Sequence, residues 1–367
     1  KMQIPLLIGG ATTSKVHTAI KIAPAYDKTV YIQNASIAVK TVADVLTNGD
    51  AFETINENYR ITRENRKSRK LSHISVDAAR QNSFKLRSAK QSPTHEGETI
   101  DGTIGINEIV EYIDWAPFAM AWGMKPKDLK TQTGKDLLSD ARQMIELMQD
   151  KIFINYSFAI DKCKKDKDDL HVSRKDRSTT YNFLRQSTKK TRPNLCLTDF
   201  VHEEDWIGSF AIWVEGIDER SEVLKLANDD YRSIMMQALG DRFAEATAEW
   251  LHETVRKEWW GYSKDENLSN DELIKERYLG IRPAPGYPAC PDHTQKIKIL
   301  NWLQVNDRIE LTEGLTMKPK SAICGWYFAS PECKYFGIGK IPEEYVKDLQ
   351  TRNPYLKKYK NHITGVN

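Results

Sequence analysis

The chain has 367 residues, 29% of them charged and 10% aromatic, with nine tryptophans and a net charge of +3. That composition excludes a disordered chain, and so small a charge excess argues against a nucleic-acid or membrane-surface binder. No apolar run approaches the roughly 18 residues of a membrane span, and five cysteines without a CxxC pair do not make a disulfide framework.

In chain order, the start KMQIPLLIGG carries no signal-peptide pattern and reads as the middle of a domain. IPLLI (4–8) predicts a buried strand ended by Gly9 and Gly10, and ATTSKVHTAIKI predicts a helix. A second strand, TVYIQNA (29–35), leads into another helix, SIAVKTVADVLTN. Strand–helix–strand–helix order predicts a parallel α/β sheet, here only a part of one. Such sheets take ligands at the C-terminal ends of their strands, so Gly9-Gly10 and the Asn34-Ala35 turn are the contact points to expect. Residues 50–70 predict a charged helix whose six basic residues from 60 to 70 face solvent or an acidic partner. A polar linker follows through 99.

From residue 100 a second domain is expected. EIVEYIDWAPFAMAWG (108–123) is apolar and aromatic, with Asp114 set between Ile113 and Trp115. A carboxylate there caps a helix, faces solvent or needs a cation, because burying it unpaired is costly. KDLLSDARQMIELMQDKI has the spacing of an amphipathic helix. IFINYSFAI (152–160) and the apolar stretches near 195–201 and 207–214 predict strands, and the charge-dense 161–177 an exposed hairpin or loop. Residues 229–260 carry the longest helical pattern, with Glu245 at the edge of its apolar stripe, where it faces solvent or an adjacent cleft. SAICGWYFASPECKYFGIGKI predicts two strands joined at a Ser-Pro turn.

The oddest run is RPAPGYPACPDHT (282–294). Prolines at 283, 285, 288 and 291 fix φ and remove donors, so the run is neither helix nor central strand. Much of its backbone entropy is already lost in the unfolded chain, and Gly286 can adopt positive φ. Such a loop serves either as a rigid connection or as a preformed ligand platform. Cys290 and His293 lack further metal ligands at suitable spacing, so no metal is expected. GxGxxG after a strand, GxxxxGK[ST], HExxH and GxSxG are all missing, which leaves an ordinary Rossmann methyltransferase or dehydrogenase unsupported.

IPLLIGGATTSKVHTAIKI, TVYIQNAS, YIDWAPF, DRFAEATAEWLHE, ENLSNDELIKERYLGIRPAPGYPACPDHT and GWYFASP-x-x-KYF, in this order, resemble cobalamin-dependent methionine synthase over nearly the whole chain. The resemblance implies an α+β fold: a reactivation domain with a twisted antiparallel sheet and long flanking helices, preceded by the tail of an α/β (Rossmann-like) cobalamin-binding domain. Residues 1–50 would be that tail, 51–99 the charged helix and linker, and 100–367 the S-adenosylmethionine-binding activation domain. The homocysteine and methyltetrahydrofolate modules, and the zinc that belongs upstream, are not expected in this chain.

In the family the C-terminal domain binds S-adenosylmethionine, and flavodoxin or a related reductase supplies an electron when the cofactor has been oxidised. Methyl transfer from S-adenosylmethionine then restores methylcobalamin. The resemblance assigns S-adenosylmethionine contacts to Asp114, Glu245, Arg282, Ala284, Gly286, Tyr287, His293, Tyr335 and Phe336. Asp114 suits the amino group, Arg282 the carboxylate, and Glu245 the cationic portion. No general acid or base is implied, because orientation is the protein's part in such a transfer. Cobalamin is expected to meet only Gly9, Gly10 and Ala35, because the family's D-x-H-x-x-G histidine motif is missing. Asp169-Leu170-His171 ends in Arg174 instead of glycine and lies in the wrong domain. The more polar INYSFAIDKCKKDKDDLHVS also departs from the family pattern. Expected partners are the reductase and the enzyme's own cobalamin-binding domain, with no nucleic acid or membrane, in the cytoplasm. The alternative is a ligand-free docking module that recruits a flavodoxin-type reductase.

Overall fold

The computed structural model describes residues 4–9, 14–32, 35–47, 50–68, 72–359 and 362–363. It divides into two units, Lys1–Ser72 and His73–Asn367.

In the first unit, strands Leu6–Ile8 and Thr29–Tyr31 pair in parallel, as the strand–helix order predicts, but the first is not the buried strand expected, since Ile4 and Leu7 are exposed. Helix Lys15–His17, which widens into a π turn at Thr18–Ile22, connects them, and Ala35–Thr47 and Ala51–Ser68 are helical. Ala19, Ala23 and Tyr59 form one small core, and Val30, Ile32 and Val45 another. The Tyr59 hydroxyl accepts the Tyr31 backbone N–H at 2.9 Å, tying the charged helix to the strand. A Cβ on Gly9 would sit 2.9 Å from the Ile32 carbonyl oxygen, so the close approach of the neighbouring strand favours glycine there. Gly10 and Asn34 lie outside the described residues, and Ala35 opens its helix.

The second unit is built on an antiparallel sheet of six strands. Phe153–Asp166 is central: Glu204–Glu215 pairs along one edge, while Thr99–Ile104 and Asp169–Arg174 share the other. Arg177–Asn182 continues beyond Asp169–Arg174, and Ala322–Tyr327 pairs with Glu204–Glu215. The charge-dense 161–177 stretch is thus a hairpin in the sheet, as expected, but it is not exposed throughout, because alternate residues such as Asp161, Cys163, Leu170 and Val172 are buried.

Alternation along the strands explains why helices cover both faces. Ile207, Ala211, Trp213, Ala322, Cys324 and Trp326 enter one core with Ile299, Leu300 and Leu303 of helix Gln295–Leu303. Phe210, Ile212 and Tyr327 enter another with Ala248, Leu251 and Val255 of the long helix Asp230–Thr254 and its end. That helix starts at Asp229, whose side chain accepts the Arg232 N–H, and it widens into a π turn at Val255–Trp259. The turn brings Arg256 inside, where it pairs with Glu266 at 2.5 Å and lies over the Tyr278 ring.

Two strand expectations need correction. Around 195–201 the chain makes a 3-10 turn, Leu197–Phe200, because the Asp199 carboxylate accepts the Cys196 N–H at 3.0 Å and closes it. The expected second strand after Ser330-Pro331 does not form. One edge of Ala322–Tyr327 is paired with Glu204–Glu215, and the other is taken by the proline loop. Ile281 and Phe328 exchange both backbone hydrogen bonds at 3.0 Å, and Trp326 donates to the Pro283 carbonyl at 3.0 Å. The end of this edge that a strand returning after Ser330 would meet first is already occupied. Among the described residues no helix is long and apolar enough to cross a membrane.

Candidate functional site

The loop that replaces the second strand also makes a wall. Pro283 lies so close to the sheet that a Cβ on Gly325 would meet its carbonyl oxygen at 2.6 Å. Beyond it the chain turns tightly: the Gly286 N–H donates to the Cys290 carbonyl at 2.7 Å and the Cys290 N–H to the Tyr287 carbonyl at 3.0 Å. Gly286 has φ +94°, the left-handed region that glycine alone adopts at little cost. The His293 imidazole fills the space its side chain would need. Buried Asp292 anchors the far end of the loop, accepting from the Thr294 N–H and hydroxyl, Gln295 and Asn353 at 2.7–2.9 Å.

Between this loop and the long helix lies a cleft of about 520 Å³, a volume in the range of small-molecule sites. Of the nine residues expected to bind a ligand, Glu245, Arg282, Ala284, Tyr287, Tyr335 and Phe336 line it. Gly286 and His293 stand behind as support. Asp114 is not part of the lining; it caps helix Trp115–Ala121, accepting the Ala116 N–H at 2.9 Å. Glu276, Phe210 and Ile323 also line the cleft, and sequence reasoning missed all three.

Electrostatics make the cleft distinctive. Arg282 donates to Glu249 at 2.6 Å, and its backbone N–H donates to the Tyr335 hydroxyl at 3.0 Å. Burial works against the guanidinium charge, but Glu249 and the nearby tyrosines and Glu245 hold its pKa above the ordinary value. The negative charge of Glu245, with burial, pushes the Tyr287 phenol up. Burial likewise raises the Glu276 carboxyl, against the pull of Arg282. Arg282, paired with Glu249, is the cation of the lining, and Glu245 and Glu276 set two carboxylates against it. The cleft is suited to a ligand that carries positive charge beside an aromatic or apolar body.

Glu245, Glu249 and Glu253 share one helical face by their four-residue spacing. The structure gives them three fates: Glu245 in the cleft, Glu249 on Arg282, and Glu253 on the Tyr112 hydroxyl at 2.9 Å. That spacing was the available signal for Glu249. Below Glu249, buried His252 is stacked on Tyr327, with centroids 5.2 Å apart, and set edge-on to Tyr278. Burial, then the charges of Arg256 and Arg282, drives its pKa well below the ordinary 6.5. The unfolded chain therefore binds a proton below about pH 6.5 that the folded chain refuses, and stability falls as pH drops below that value. The slope is up to about 1.4 kcal/mol per pH unit, to which His293, also lowered by burial, adds in the same direction. Denaturant titrations of His252→Phe between about pH 5 and 6.5 are expected to show a flatter dependence; an unchanged slope contradicts this.

The comparisons with known proteins agree with this geometry. Residues 105–354 match the family model described as vitamin B12 dependent methionine synthase, activation domain. A crystal structure of the MetH reactivation domain bound to AdoHcy is similar to this chain, with a TM-score of 0.73 and 35% identity. The match covers 80% of this chain and 99% of that one.

Proposed function

The chain belongs to the vitamin B12 dependent methionine synthase activation-domain family, and from that membership we propose that its cleft binds S-adenosylmethionine and presents the methyl group for reactivation of the enzyme. It is the reactivation domain of a cobalamin-dependent methionine synthase, an enzyme that transfers methyl groups. The carrying observation is the convergence of Glu245, Arg282, Ala284, Tyr287, Tyr335 and Phe336 on one cleft.

Each part of the donor has a chemical counterpart. Arg282 takes the carboxylate as a charge-assisted pair. Glu245, with Glu276, faces the cationic portion. The backbone around Ala284 and Gly286 takes the adenine edge, and Tyr287, Tyr335 and Phe336 supply flat apolar surface. Asp114, outside the lining, enters as the partner of an amino group that extends past it. His293 supports Gly286 from behind. The residues orient the donor and exclude water, which is how a protein accelerates an in-line displacement without a general base.

Cobalamin, when bound, supplies the methyl acceptor. Gly9 and Ala35 stand at the C-terminal ends of the parallel strands, where α/β sheets take ligands. The missing Cβ of Gly9 is accounted for by Ile32, so in the described residues the fit to the cofactor is partial. The enzyme's own cobalamin-binding domain and a flavodoxin-type reductase in the cytoplasm complete the proposal. A structure with S-adenosylhomocysteine soaked in tests the reading: density is expected over 282–287, and a cleft left empty at saturation removes it.

A further inference from the structure

We propose that Glu249 is a positioning residue, which holds the Arg282 guanidinium against the cleft wall so that its free donors meet the carboxylate of the bound methyl donor. This rests on the reading of the cleft given above. Glu249 does not line the cleft, and Arg282 does. The Glu249 side chain is only 8% exposed and its carboxylate grips Arg282 Nη2 at 2.6 Å. The Arg282 backbone is fixed separately by the Tyr335 hydroxyl. Arg282 Nε and Glu249 Oε1 are both buried without a hydrogen-bond partner in the structure, so the pair is not saturated. One corner of the guanidinium fork is held by Glu249, while the Arg282 side chain, still 19% exposed, lines the cleft.

The reason for such a hold lies in the competitors. Glu245 and Glu276 line the same cleft, and Arg282 feels or influences the charge of both. A flexible arginine freed from Glu249 has two carboxylates to turn to. In either position it would give up the ligand's carboxylate and also neutralise a group needed for the cationic end. Glu249 therefore keeps one positive and two negative points apart, each available to one part of a zwitterionic sulfonium. A planar fork fixed at one corner also loses less freedom on meeting a second carboxylate.

The test compares S-adenosylmethionine with its decarboxylated analogue by titration calorimetry on the whole chain. Wild type is expected to favour the carboxylate-bearing donor by about tenfold or more. In Glu249→Gln that preference is expected to collapse to about twofold or less, through loss of affinity for S-adenosylmethionine with the analogue little changed. Glu249→Asp, which keeps the charge, is expected to recover part of the preference. A folded Glu249→Gln protein with the wild-type preference overturns the inference and leaves the cleft reading standing. Equal weakening of both ligands also overturns it, because a merely structural pair would act on both. If Glu249→Gln does not fold, the thermal melt shows it and Glu249→Asp decides: a reduced preference supports the role, an unchanged one overturns it. Failure of wild type to bind either ligand removes the reading of the cleft, and this inference with it.

Discussion

Arg185→Met is expected to cost about 3–5 kcal/mol of stability in denaturant titrations, the size found when one partner of a buried ion pair is removed. Arg185 is 3% exposed and faces two carboxylates that are as deeply buried, Asp168 and Asp199. It meets Asp199 through two parallel bonds at 2.6 and 2.8 Å, Asp168 at 2.9 Å, and the Asn194 carbonyl at 2.7 Å. Arg80 reaches the other oxygen of Asp168 at 2.9 Å and continues to Asp348. Methionine keeps much of the volume but leaves Asp199 with only the Cys196 and Phe84 N–H groups as partners. The same turn carries Phe200, whose ring packs 6.0 Å from Phe336 in the cleft lining, so the network braces the wall of the site. A loss below about 1 kcal/mol contradicts this account.

Gly286→Ala is expected to weaken S-adenosylmethionine binding by at least about tenfold while leaving the sheet folded. At φ +94° any side chain adds about 1–2 kcal/mol of backbone cost. The new Cβ would also stand 2.4 Å from His293 Cε1, so the imidazole or the loop must move. The loop cannot shift alone, because the Gly286–Cys290 hydrogen bond and the Ile338 N–H to Pro288 carbonyl bond at 2.8 Å fix it on both sides. Displacement of Ala284 and Tyr287 follows, and both line the cleft. Calorimetry checks it; wild-type affinity in a protein with this substitution would show that the loop's shape does not matter to the ligand.

These two positions also show what the sequence made legible. The spacing of four prolines around Gly286 announced a stiff loop, because proline and glycine act on the backbone wherever they stand. The long helix and the strand at 152–160 were equally plain from apolar residues, which report burial, but the extension of that strand through Asp166 lay in the charge-dense stretch read as a hairpin or loop. Partner identity is a different kind of information. Arg185, Asp168 and Asp199 sit in three separate segments, and nothing local marks them as one buried network. Nothing local marks Glu249 as paired, because its arginine lies 33 positions away. The missing strand after Ser330 failed for a topological reason, since local propensity cannot know that the 281–283 backbone already holds the edge. Helix capping was one of three alternatives open for Asp114, which the family resemblance made a ligand contact, and its absence from the cleft lining could come only from the fold. Glu276, held at φ +54°, carried no pattern at all.

The most direct measurement is a crystal structure of the protein with S-adenosylmethionine or S-adenosylhomocysteine bound. The predicted result is a nucleoside along 282–287, with its carboxylate on Arg282 while Arg282 still holds Glu249. Ligand density away from this cleft, or a bound ligand whose carboxylate leaves Arg282 untouched, would contradict the account.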